Sequence, residues 1–173
     1  MAEDVELPRK AMLRGGALGG VTAGSAMLAS AIIYAGATGT GFWTPVRLIA
    51  ASMHGDPALI EGGQAWGGGG MVEVVLTAVI IHFTFAAGWG IAFVRLFKRL
   101  SGSVVLAVGL LYGLAVWALM TWGVLIWADP TMYDRVQLAG RPFLFEHLLY
   151  GGFIALAPGL ARRYSRRVPD DRL

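Results

Sequence analysis

The chain contains no cysteine. Thiolate metal sites, iron–sulfur clusters, disulfides and cysteine nucleophiles are therefore excluded. Charge is also scarce: 14% of the residues are Asp, Glu, Lys or Arg, against about 25% in an ordinary soluble domain. So little charge cannot clothe a water-facing surface, because these are the residue types that normally occupy it. Disordered and coiled-coil classes fall on the same ground. The 14 basic residues outnumber the 11 acidic ones by too little, and lie too scattered, to make a phosphate-binding field, so no nucleic-acid partner is expected. Soluble-enzyme signatures are missing too, with no H-E-x-x-H, no G-x-S-x-G, no Walker lysine and no carboxylates paired on one face. What is plentiful is apolar sequence, 56% of 173 residues. The reading is a single integral membrane domain over residues 1–173, with no catalytic residue.

Intervals without charge place the membrane segments. No charged residue lies between Arg14 and Arg47, 21 uncharged residues run from Val74 to Val94, and 29 run from Leu100 to Ala128. A fourth stretch, Pro142 to Ala161, is 20 residues long but carries Glu146 and His147. A helix rising about 1.5 Å per residue needs about 20 residues to cross a hydrocarbon core. The expected fold is an all-α membrane protein, four transmembrane helices in an up-down bundle, with spans over 15–39, 72–95, 103–128 and 143–161. A short interfacial helix over 45–54 is expected in the first outer loop, with Thr44 as cap, Pro45 in its first turn and Gly55-Asp56-Pro57 as its stop. The glycines from Gly62 to Gly70 read as a flexible lead into the second span, not as a phosphate loop.

Orientation follows the basic residues. Arg9, Lys10, Arg14, Arg95, Lys98, Arg99, Arg162, Arg163, Arg166, Arg167 and Arg172 fall on one side, and only Arg47, Arg135 and Arg141 on the other. Both termini are expected in the cytoplasm. Phe42, Trp43, Trp66, Trp122, Trp127 and Tyr133 then form an outer aromatic belt. Arg162, Arg163, Arg166 and Arg167 read as an anchor on anionic lipid. A cleaved leader ending at Ala35-Gly36-Ala37 is disfavoured by the acidic opening Glu3, Asp4 and Glu6 and by the odd number of spans that cleavage would leave.

Glycine marks the packing faces. Gly16, Gly20 and Gly24 recur every four residues on the first span, with Gly15, Gly19 and Ala23 beside them. Gly109 and Gly113 lie on the third span, Gly151 and Ala155 on the fourth. Small residues at this spacing let helix backbones approach closely within a bilayer. They serve either packing inside one chain or docking of another subunit. Leu110-Leu111-Tyr112-Gly113 recurs as Leu148-Leu149-Tyr150-Gly151, a match short enough to arise by chance in apolar sequence.

Ionisable groups within a span are costly and so are functional candidates. They are His82, Glu146, His147 and, at the edge, Glu73. Counted from the expected span ends, His82 lies near mid-depth and His147 near the outer surface, a difference of roughly 10 Å. That difference argues against a haem held by both histidines. Glu73, His147 and His54 could share an outer layer and hold a divalent metal, although no pair has helix-borne i, i+4 spacing. The plain role for His82 is a hydrogen bond to backbone or to the hydroxyl of Thr77, Thr84 or Thr121, and for Glu146-His147 a wet helix start. No cofactor is assigned.

The glycine-rich first span, Pro45-Val46-Arg47-Leu48-Ile49-Ala50-Ala51, Ile81-His82-Phe83 and Phe145-Glu146-His147-Leu148-Leu149-Tyr150-Gly151 form an ordered set. In these the chain resembles the small four-span bacterial inner-membrane proteins of the uncharacterised YagU-like kind. The resemblance implies a bacterial inner-membrane location, with His82, Glu146 and His147 at characteristic polar positions. The function expected is that of an accessory or structural subunit of a larger membrane complex, with the bilayer and other membrane subunits or further copies of the chain as partners. The rivals are a small transporter or proton conductor using His82 and the Glu73/Glu146/His147 layer, and a haem- or metal-binding electron-transfer subunit.

Overall fold

The computed structural model describes residues 7–55, 70–139 and 141–166. Glu3, Asp4, Glu6, Asp56, Pro57, Gly62, Gly63, Trp66, Gly67, Gly68, Gly69, Arg167 and Arg172 lie outside them. The described elements are α1 (Arg9–Ala37), α2 (Thr44–His54), α3 (Gly70–Phe97), α4 (Gly102–Ala118), a π-helical segment (Leu119–Leu125), α5 (Ile126–Ala128), α6 (Pro130–Ala139), α7 (Arg141–Ile154) and α8 (Ala157–Ser165). No strand occurs among the described residues. Four stretches, Arg9–Ala37, Gly70–Phe97, Gly102–Leu125 and Arg141–Ser165, are long and apolar enough to cross a membrane. The chain is a multi-pass membrane protein.

Backbone-to-backbone seams hold these helices together. A Cβ placed on Gly20 would land on the carbonyl oxygen of Ala86, and one on Gly16 would lie 2.6 Å from Cα of Ile91. Neither position admits even alanine without moving a helix. Gly15 and Gly19 stand about 100° around α1 from this line and meet Ala161 and Ala157 of α8. Thus α1 sits in a corner between α3 and α8, glycine on both sides. A second seam joins α4 to α7, where Gly109 and Gly113 abut the carbonyls of Gly151 and His147. In a bilayer, lipid is as apolar as the helix surface, so such close packing, and not water exclusion, supplies the attraction.

Two tyrosines tie the seams to each other. Tyr150 donates to the Ala86 carbonyl and Tyr112 to the Trp89 carbonyl, both at 2.9 Å. The repeated Leu-Leu-Tyr-Gly segments therefore perform the same task, each setting its hydroxyl on α3. Replacing Tyr150 with Phe leaves the ring in place and removes a buried hydrogen bond. The expected loss is about 1 kcal/mol of unfolding free energy, measured by denaturant titration in detergent.

Near the other end, Arg162 on α8 donates to the carbonyls of Lys98 at 3.0 Å and Leu100 at 3.3 Å, satisfying acceptors just beyond α3. Tyr150 to Ala86 and Arg162 to Lys98 are both separations of 64 residues. The two bonds fall in the same order along both segments, so α3 and the α7–α8 span run in the same direction.

Several local features depart from expectation. Thr44 does not cap α2, because its hydroxyl donates to the Thr40 carbonyl at 2.6 Å while Trp43 holds the cap position. The 129–141 connection is itself helical. Asp129 accepts the Met132 amide at 2.9 Å and Pro130 opens α6. The fourth span is broken between Ile154 and Ala157, where Pro158 has no amide proton to continue the α-helical ladder. On α4 the buried stripe Val105, Gly109, Gly113, Val116 proceeds in steps of three or four, and the next buried residue is Thr121, five on. The wider π turn keeps that longer step facing inward.

Candidate functional site

The sequence singles out His82, Glu146, His147 and Glu73, and the structure gathers no three of them into one metal-holding group. His82 Nε2 bonds the carbonyl of Gly24 on α1 at 2.9 Å, so it is backbone and not a threonine hydroxyl that takes this proton. Gly24 is what allows the approach, since a Cβ there would lie 3.2 Å from Nε2. His147 is buried, 5% exposed. Its Nδ1 bonds the Phe143 carbonyl one turn back at 2.9 Å, and the Phe143 ring covers it edge to face at 4.5 Å between centroids.

Near the start of α3, Val74 and Ala78 pack with Val46, Ala50 and Ala51 of α2.

His54 Nε2 meets the Thr77 hydroxyl at 2.9 Å and joins α2 to α3. No group of three or more histidines and carboxylates suited to a metal occurs among the described residues, so Glu73, His54 and His147 do not form one. Glu146 is half-buried beside His147 in sequence.

One polar group escaped the sequence reading. Thr121, in sequence only a candidate partner for His82, is 2% exposed and its hydroxyl has no hydrogen-bond partner. The signal was its five-residue step from Val116. Of the basic anchor, Arg163 and Arg166 are exposed, whereas Arg162 is turned back onto the α3 carbonyls.

The interior around these groups is narrow. Glycine seams press α1 on α3 and α4 on α7, and His82, Tyr112, His147 and Tyr150 each donate to a backbone carbonyl. No protein-family model, no curated protein and no solved structure matches the chain.

Proposed function

We propose that this chain is a non-enzymatic membrane protein, an accessory or structural component of a larger membrane assembly. The observation that supports this most is how the interior polar groups are used. His82, Tyr112, Tyr150 and His147 hold backbone carbonyls, and the seams between helices leave backbone against backbone. Such an interior favours rigidity over solute passage or chemistry. The glycine faces are spent within the chain and so do not themselves argue for a partner. A partner would meet the outward apolar and aromatic side chains, such as Phe42, Trp43, Trp122 and Trp127, all exposed.

The location belongs to the same proposal. An up-down arrangement with α2 at the interface, both termini in the cytoplasm and a bacterial inner membrane fits the basic-residue asymmetry and the resemblance to YagU-like proteins.

Native mass spectrometry of the protein extracted from its own membrane in mild detergent tests the proposal. Co-migrating foreign subunits are the expected result. A bare chain at multiples of 18.4 kDa, together with proton or solute flux in liposomes that His82→Ala abolishes, would replace it with the transporter reading.

A further inference from the structure

Three hydroxyls along α1 are satisfied in one way. Thr22 donates to the Leu18 carbonyl, Ser25 to that of Val21 and Thr38 to that of Tyr34, each four residues back and each at 2.9 Å. Thr121 has the corresponding acceptor in the Trp117 carbonyl and does not take it. Its hydroxyl is the one buried hydroxyl without a partner among the described residues. The backbone is what differs, since Thr121 lies in the π-helical segment Leu119–Leu125. There the amides reach back five residues instead of four. The longer step shows in the side chains as well, because Trp117 and Trp122, five apart, meet edge to face at 4.8 Å between centroids. Amides and carbonyls pair in chain order, so a change of spacing from four to five skips one carbonyl and leaves it without an amide. The π turn therefore sets two unsatisfied polar groups on one stretch of buried backbone, a hydroxyl and a carbonyl.

We propose that the π segment binds one internal water molecule, between the Thr121 hydroxyl and the carbonyl that the π turn releases. The chemistry of the two groups selects this ligand. The carbonyl only accepts, while the hydroxyl both donates and accepts, so the bridging molecule must donate at least once and be small. Water meets both conditions, and buried waters are characteristically found on groups left unsatisfied in this way. A cation fits less well, because hard cations take six or more oxygens and one hydroxyl with one carbonyl supplies two. A bridging water is nearly as favourable as a direct hydrogen bond, which offsets what the π turn forfeits. Without it the α-helical ladder would suit both groups better, since Thr121 could then reach back as Thr22 does. The residues beyond would rotate about the helix axis, and the exposed Trp122 and Trp127 with them. The inference stands apart from the accessory-subunit reading, because it concerns the backbone of a single span.

Two measurements on the full chain in mild detergent test the site. Thr121→Val keeps the shape of the side chain and removes the hydroxyl. If the hydroxyl holds a water, this variant should unfold with an equilibrium constant raised about tenfold in denaturant titration. Thr22→Val, which removes a hydroxyl already bonded to its own helix, is the control and should stay within about twofold of the native protein. The second measurement reads the water itself, as nuclear Overhauser transfer from water to the backbone amide of residue 121. Transfer is expected in the native protein and in Thr121→Ser, and should be lost in Thr121→Val. A Thr121→Val protein as stable as the native one, or more so, would show a hydroxyl that is simply unpaired and would overturn the site. So would a native protein without transfer at residue 121, transfer that persists in Thr121→Val, or transfer lost in Thr121→Ser.

Discussion

Gly20→Leu is expected to unfold the protein or to displace α1 from α3 altogether. A Cβ at this position already coincides with the carbonyl oxygen of Ala86, and it lies 2.8 Å from the carbonyl carbon and 3.0 Å from Cα of Ala87. All three atoms are backbone, so no rotamer change can relieve the overlap. Even Gly20→Ala should cost about 3 kcal/mol, the upper part of the usual overpacking range. Gly20 also stands one turn from Gly24, whose carbonyl holds His82, so the damage would reach the polar layer. Gly88 supplies the control. It lies on the same helix as Ala86, yet a Cβ there would meet nothing within 4 Å. Gly88→Ala should leave stability unchanged or raise it by up to about 1 kcal/mol through helix propensity. Denaturant titration of the three variants in one detergent reads the contrast.

Phe93→Ala is expected to cost about 3 kcal/mol. Phe93 is fully buried, the largest such side chain among the described residues. Its ring centroid lies 5.0 Å from those of both Phe97 and Tyr112. This aromatic cluster joins α3 to α4, which no glycine seam connects. The cavity would loosen Tyr112 as well, and with it the hydroxyl bond to the Trp89 carbonyl. A double variant with Tyr112→Phe should then cost less than the two single losses added, because the sites share a contact. Additive losses would show that the cluster does not act as a unit.

Much of the architecture was legible because charge is expelled from the bilayer. The intervals between charges mark the four long apolar helices, although the first begins six residues earlier than expected, at Arg9, and the fourth, weakest one reaches Arg141–Ser165. The glycine faces were legible as spacing, although which helix each face meets was not. Apolar periodicity, the usual guide, is silent here. Leu111 and Val72 are exposed and Phe93 and Ile154 are buried, yet all four are apolar because lipid replaces water outside. The Asp129-Pro130 helix start and the Pro158 break were present in the sequence as ordinary cap and proline signals. They went unused because the apolar run around them dominated the reading.

The absence of cysteine makes the central claim, that the glycine seams are consumed within one chain, directly testable. At Gly24 a Cβ would lie 2.8 Å from the Cβ of Ala86, so a shift of under about 1 Å brings the pair to disulfide separation. The measurement is oxidation of the Gly24→Cys/Ala86→Cys double variant in its own membrane, followed by non-reducing electrophoresis and mass analysis. The account predicts a disulfide within a single 18.4 kDa chain, and no dimer from either single-cysteine variant. A covalent dimer from the Gly24→Cys variant alone would contradict it, because that glycine face would then belong to a contact between chains.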